Sequence, residues 1–521
     1  MRMNRLLLLI IISSVVYFSN LGGTSIYILD EAKNAGCAME MKDRGDWIVP
    51  TFNNRLRTDK PPLHYFFMIA SYSVFGVTPF AARFFSAVAG ILLIILVYKN
   101  VKNLINEFVA FYSALILLSS IQLTIQFHLA VPDPYLILLI ALSLFSFYKG
   151  YHVDSKQLTW FYIASALGFL CKGLVAIVLP GLIIVLYLGL TQSLNWTTLK
   201  KLKIGMGIIL LCVLAIPWYA AVGYATDGEW LRGFFLEHNL ERYTSTMEGH
   251  RGFPLAPFVI LLTALLPFSV FIVQSVTLAW KERKEKPLLL FCLIVSVVFA
   301  GFFSFSKTIL PSYPAPAIPF LAIVIGYYLY RLELDKDKKS RSQWISFFLN
   351  AMIVIIIFVA AYIALKQEVA MNDLRSNIWI FLVLPIGSLA GWYFFIKGKV
   401  SLFVFCWSGS WIALGLLFFY ITYPLIDQKN PVLSSLPIIE QTHSPRKIVG
   451  YRIFNPAYVF ALHQTIEVAN TPEALQELTK GEENVIIITR GKYRSELPQG
   501  LKTIYSGKDL FESNETILMT N

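Results

Sequence analysis

The sequence predicts an all-α polytopic membrane domain followed by a small soluble α/β domain, and three observations carry that reading. Apolar runs long enough to cross a bilayer recur from the N-terminus almost to residue 422. Composition agrees: of 521 residues 56% are hydrophobic and 15% charged, with a mean hydropathy of +0.62. Beyond Tyr423 the apolar runs stop, and short β-like stretches (447–449, 484–488) flank a helical pattern at 471–479 opened by Thr471-Pro472-Glu473. The expected division is 1–422 for the membrane domain, with a first outer loop at 30–80, and 423–521 for an outer α/β domain.

Each span follows from length and apolarity. The N-terminal MRMNRLLLLIIISSVVYFSNLGG has the basic head and apolar middle of a signal peptide but no A-x-A-like cleavage site, so it reads as an uncleaved first helix with Arg2 and Arg5 on the cytoplasmic side. Roughly thirteen spans are expected, near 6–28, 81–99, 108–127, 134–149, 158–171, 173–190, 204–224, 254–279, 287–305, 309–330, 343–365, 377–396 and 401–422. An odd number puts the C-terminal domain on the side opposite the N-terminus. Charge tests the assignment, because the loops it places inside carry Lys99 and Lys102, Lys149 and Lys156, Lys200, Lys201 and Lys203, and the basic runs 281–286, 331–341 and 397–399. All obey the positive-inside bias. The segment 64–75 is apolar but too short to cross, and is expected as an interfacial helix.

Several function classes drop out. The net charge of +12 is spread over short loops and forms no basic domain, which excludes nucleic acid as a partner. Five cysteines give no disulfide framework. No Gly-rich phosphate loop occurs, so nothing points to a nucleotide donor or an ATPase. A transporter would set its charges near the bilayer midplane on broken helices, whereas these cluster at one face.

Chemistry is concentrated in 29–63, LDEAKNAGCAMEMKDRGDWIVPTFNNRLRTDKPPL, which carries the first acids of the chain, Asp30 and Glu31, and closes on Arg55, Arg57, Asp59 and Lys60. Outer loops need few cations for topology, yet this side holds Arg55, Arg57, Lys60, Arg83, Lys172, Arg232, Arg242, Arg251 and Lys307. A phosphate at headgroup level would explain them. Asp30, and Asp133 in the turn AVPDPYL, could serve as base and orienting partner for an acceptor hydroxyl. Each has a plainer reading: Asp30 as the N-cap of the following helix, and Asp133-Pro134 as an N-cap and N1 pair. Lys60 before Pro61-Pro62 either aims its ammonium at a phosphate or snorkels at a helix end. His250 and Arg251 end the polar loop LEHNLERYTSTMEGHRG, where His250 and Asp59 could ligate a metal, though no zinc-type spacing is present and a solvated loop explains the stretch as well. Lys307 also suits a simple turn, and Trp47 and Trp218 read as interfacial aromatics.

The stretches DEA at 30–32, GDWIVP at 45–50, DKPPLHYF at 59–66, FGVTPFAARFFSAVAG at 75–90, FLCKGLVAIVLPGL at 169–182, PWY at 217–219, FFLEHNLERY at 234–243, HRG at 250–252 and FSFSKTILPSYPAPAIPFLAI at 303–323 resemble glycosyltransferase family 39. That group includes protein O-mannosyltransferases and the bacterial aminoarabinose transferase of lipid A. The resemblance implies a GT-C fold and transfer of a sugar from a polyprenyl-phosphate carrier to a lipid or protein acceptor at the outer face of the inner membrane. It also implies roles: Asp30, with Glu31 beside it, as the base, Asp133 as a second acid, and Lys60, Arg83, Arg251 and Lys307 toward the carrier phosphate. Asp59 stands where bacterial relatives commonly have glutamate. No obligatory cofactor is expected, since cations can serve a lipid monophosphate leaving group, and a structural divalent ion at Asp59 and His250 is left open.

Overall fold

The computed structural model describes residues 4–241, 253–335, 340–367, 369–440, 447–482, 484–510 and 514–521. Among them eight helices are long and apolar enough to cross a bilayer, or ten if each of two bent helix pairs is one span. The first pair, α5 (Glu107–Leu118) and α6 (Ile121–Phe127), bends by 69° at Ser119-Ser120, because the Ser120 side chain caps α6 by accepting from the Leu123 N–H. The second, Ala256–Ala264 with Phe268–Lys281, bends by 113° at Pro267, which has no N–H to continue the ladder.

Three of the thirteen expected spans fall instead on shorter helices: α1 (Arg5–Tyr17), α8 (Gln157–Lys172) and α9 (Val175–Leu190). At 1.5 Å per residue these reach only about 20–24 Å, short of the ~30 Å hydrocarbon core. Local backbone chemistry explains the breaks. The first helix ends at Tyr17 and the chain then turns through left-handed Asn20 (φ +49°), and Gly173 at φ +80° separates α8 from α9.

After α1 the chain turns through 18–28 into α2 (Leu29–Arg44). Acids in its first turn, bases in its last and a left-handed Gly45 cap suit the helix dipole and the C-terminal carbonyls. Ile28, not Asp30, occupies the N-cap, without any side-chain cap. A two-strand hairpin follows, β1 (Thr51–Phe52) with β2 (Arg55–Leu56). Asn53 and Asn54, both left-handed, form the type I′ turn that suits such strands. Glu40 of α2 holds the hairpin by accepting from Thr51 Oγ1 and the Asn54 N–H. Next come α3 (Leu63–Phe75), the short helix expected there, α4 (Pro79–Leu104) and, after the bent pair, α7 (Asp133–His152). Pro132 takes the N-cap of α7, one position before the expected Asp133.

The C-terminal unit is a five-stranded sheet in the order β4-β3-β5-β7-β6, built from β3 (Ile448–Tyr451), β4 (Glu467–Ala469), β5 (Ile486–Arg490), β6 (Lys502–Lys508) and β7 (Glu515–Thr520). β4, β3 and β5 pair in parallel, and β7 alone runs the other way, antiparallel to both β5 and β6. Thr471 caps the helix Pro472–Thr479, as its sequence predicts. Rather than hanging on a linker, the unit shares one apolar core with α2, α3 and the start of α4. Gly36 marks the close approach, since a Cβ there would lie 2.8 Å from the Phe52 ring and 3.9 Å from Val459.

Asn53 binds the seam twice, donating Nδ2 to Ile466 O (2.8 Å) and accepting from the Ile466 N–H (2.7 Å). Asn53→Ala therefore loses both bonds and strains a left-handed residue, for an expected cost of about 2–4 kcal/mol. Limited proteolysis and thermal unfolding in detergent should show earlier release of the C-terminal unit, with Asn53→Gly intermediate; unchanged stability in both would refute this account of the docking.

Candidate active site

Two adjacent acids on α2 meet opposite environments because successive helical residues point about 100° apart. Glu31 faces inward with no solvent access and forms a two-pronged pair with Arg83, Oε1 to Nε at 2.7 Å and Oε2 to Nη2 at 2.9 Å. The remaining guanidinium donors go to Leu21 O, Thr24 O, Thr24 Oγ1 and Ser25 O. Glu31 Oε1 also accepts from the Ala130 N–H at 2.9 Å. This corrects the expectation for both residues: every nitrogen of Arg83 is engaged, so it has no donor left for a carrier phosphate, and Glu31 is not placed to take a proton from substrate.

Asp30 faces the other way, half-exposed. Around it stand Lys60, Arg57, Lys172 and His64. Partial burial would push its carboxyl up, but these neighbours outweigh that and hold it below the ordinary aspartate value of 3.8. Lys60 is itself mostly buried, which sets aside the snorkelling reading. His64 is fully buried beside Arg57 and Lys60, and both burial and that company push its pKa far down, leaving it neutral.

Arg57 lies under this surface, only 4% exposed. Its Nε donates to Tyr65 Oη and its Nη2 to Asn34 Oδ1, each at 3.0 Å. Nη2 also pairs with Asp59 at 3.1 Å and with Asp30 at 3.6 Å. Trp230, far along the chain, donates Nε1 to the Arg57 carbonyl (2.8 Å), and buried Trp218 donates to Trp47 O (3.3 Å), so Trp218 is a packing residue and not an interfacial aromatic.

The second acid reaches the site through a lysine. Asp133, at the start of α7, accepts from Lys172 Nζ at 2.6 Å, and Lys172 is also among the cations acting on Asp30. Gly173 fixes that lysine's backbone: its φ is +80°, and a Cβ would lie 2.6 Å from the Phe234 ring. Lys172 also lies 5.4 Å from the Tyr313 ring centroid, bringing up the 305–314 turn that carries exposed Lys307. Sequence reasoning counted Lys172 as an outer cation without a role and overlooked Asn34 and Tyr65. The signals were a lone charge in the apolar run FLCKGLV and an asparagine four residues after Asp30 on one helix face.

Arg251 and His250 lie outside the described residues. Asp59 is committed to Arg57, and among the described residues no group of three His, Cys, Asp or Glu side chains could hold a metal ion.

Residues 59–219 match the family profile of dolichyl-phosphate-mannose-protein mannosyltransferases. The solved structure of ArnT from Cupriavidus metallidurans bound to undecaprenyl phosphate superposes with a TM-score of 0.83 at 20% identity, covering 98% of this chain and 97% of the other. The chain is thus similar to glycosyltransferase family 39 in the profile match and shares the fold of ArnT. An undecaprenyl phosphate-alpha-4-amino-4-deoxy-L-arabinose arabinosyl transferase of Pseudomonas aeruginosa is 26% identical over 457 residues, 85% of this chain and 80% of that one. Its counterpart in Serratia proteamaculans is 27% identical over 440 residues, 81% and 76% of the two chains. An Archaeoglobus fulgidus oligosaccharyltransferase shares the fold more distantly, at a TM-score of 0.52 and 9% identity over 94% and 70% of the chains. The chain is thus a polytopic GT-C glycosyltransferase.

The adjacent acids separate in stability measurements. Glu31→Gln leaves Arg83 buried without a counter-ion and should cost about 3–5 kcal/mol, seen as a large fall in unfolding temperature, while Asp30→Asn unfolds near wild type; equal falls would contradict the assignment. With its pKa lowered from the ordinary aspartate value, Asp30 is a carboxylate throughout the neutral range, so its protonation leaves transfer rates flat from about pH 5 to 7. Removing a cation with Lys172→Met raises that pKa and moves the acid limb upward. A limb that moves down would refute the electrostatics.

Proposed function

We propose that this enzyme transfers a sugar from a polyprenyl-phosphate carrier to an envelope glycolipid, lipid A or a close analogue, at the outer face of the inner membrane. The carrying observation is an accessible carboxylate, Asp30, set among Lys60, Arg57 and Lys172. The similar arabinosyl transferases and the similar structure holding undecaprenyl phosphate support the carrier. Positive-inside loops support a cytoplasmic N-terminus and a periplasmic C-terminal domain.

In the proposed reaction an acceptor hydroxyl gives its proton to Asp30 as its oxygen bonds to the anomeric carbon. The bond from that carbon to the phosphate oxygen breaks, and the electron pair leaves on the lipid phosphate. Lys60 and Lys172 stabilise the growing phosphate charge, while Asp133 holds Lys172 in place. Exposed Lys307 is kept as a further phosphate contact from the neighbouring turn, and Arg251 as another from its own loop. The reaction uses no catalytic metal, because the cationic side chains do the work a divalent ion does for a nucleotide-sugar diphosphate. One attack inverts the anomeric centre.

A second reading, transfer to protein Ser or Thr, is favoured by the mannosyltransferase family match over 59–219. The test is transfer by purified enzyme in detergent from radiolabelled polyprenyl-phosphate sugar to separated lipid and protein acceptors. Wild type should label the lipid fraction with inverted stereochemistry and keep its rate in EDTA. Asp30→Asn and Lys60→Ala should fall by about a hundredfold or more while remaining folded. Label in protein would select the second reading. Equal transfer rates for wild type and Asp30→Asn would overturn the role given to Asp30, and absence of transfer by wild type would leave a glycan-binding or lipid-transport protein as the better account.

A further inference from the structure

Arg57 looks from sequence like one more phosphate-binding cation, yet its surroundings give it different work. It is 4% exposed, so a lipid phosphate could reach it only by displacing the groups it already serves. The guanidinium is fixed from two helices, by Asn34 of α2 and Tyr65 of α3, each at 3.0 Å. Its backbone is fixed as well, the N–H on Pro50 O (2.9 Å) and the carbonyl under Trp230 Nε1 (2.8 Å). A charge pinned at every end in a buried place serves as a reference point for its neighbours.

Resting on the function proposed above, we infer that Arg57 is a positioning residue: its guanidinium, locked by Asn34 and Tyr65, sets the orientation of the Asp30 carboxylate for proton transfer and does not bind the carrier phosphate. Asn34 lies one helical turn beyond Asp30, so a guanidinium bonded to Asn34 Oδ1 lies along the same face of α2. The contact to Asp30 uses Oδ1 at 3.6 Å, which leaves Oδ2 for the acceptor's proton. Asp59 takes Nη2 at 3.1 Å and supplies the negative charge that lets the cation remain buried. Only a planar fork meets Tyr65, Asn34, Asp59 and Asp30 together; a lysine has a single point charge for all four.

Steady-state transfer separates positioning from phosphate binding when kcat is read beside the Kd for polyprenyl phosphate alone. Arg57→Ala and Arg57→Lys should lower kcat by about a hundredfold, the scale of a misplaced catalytic group, with Kd within about threefold of wild type. Asn34→Ala, which frees the guanidinium without removing it, should lower kcat by about tenfold. Guanidinium ion at about 20 mM should restore part of the Arg57→Ala rate where methylammonium does not, a rescue expected of a planar fork alone. Should Arg57→Ala fail to fold, Arg57→Lys and Asn34→Ala decide. Full kcat in those two, or a Kd weakened in Arg57 variants as much as in Lys60→Ala with kcat intact, would overturn the inference. Wild-type enzyme that transfers no sugar, while Kd for polyprenyl phosphate is measurable, would instead overturn the proposed function on which this rests.

Discussion

A carboxylate and a guanidinium shut away from solvent, Glu31 and Arg83, are the joint on which the face around Asp30 is hung. Through them α2 is tied to α4, to the carbonyls of Leu21, Thr24 and Ser25, and to the Ala130 N–H just before α7. Breaking such a pair would strand a buried charge, so the geometry is rigid wherever the fold persists. Position follows from it. With Glu31 turned inward, Asp30 must turn outward, and the turn carrying Asp133 is drawn to the same region.

Around that joint the charges fall into two groups. The guanidinium groups of Arg83 and Arg57 are buried and each holds several fixed partners within the chain, whereas the ammonium groups are Lys60, buried beside Asp30, Lys172, paired with Asp133 and partly exposed, and exposed Lys307. Guanidinium groups suit fixed, many-armed contacts, and ammonium groups suit a ligand that comes and goes. The soluble domain backs this surface from behind. Ser25 donates to Asp427, Tyr27 accepts from the Leu510 N–H (3.0 Å), and the helix Ala457–Ala461 shares its core with α2. The segment carrying Asp30 is thus clamped between membrane helices and a sheet.

Much of this was legible in the chain. Apolar runs and basic loops marked the membrane helices, and Thr471-Pro472-Glu473 marked a real helix start. The acids at 30, 31 and 133 do come to one region. What the sequence hid was direction: nothing in Asp30-Glu31 says which carboxylate faces in, since that depends on Arg83, more than fifty residues away. Span lengths were overestimated where Asn20 and Gly173 take left-handed backbones inside apolar text. Lys172 and Asp133 are 39 residues apart, and Asn34 passes for an ordinary helical residue until Arg57 folds onto it. Such pairings are tertiary facts that composition and periodicity do not encode.

The central claim is that the surface around Asp30 receives the carrier's phosphate, and the most direct test is to see that phosphate. A structure of the enzyme with bound polyprenyl phosphate should show phosphate oxygens within hydrogen-bond distance of Lys60 and Lys172, on the exposed side of Asp30, with Arg57 and Arg83 keeping their present partners. Phosphate lodged elsewhere, or held by Arg57 after release of Asn34 and Asp59, would contradict it.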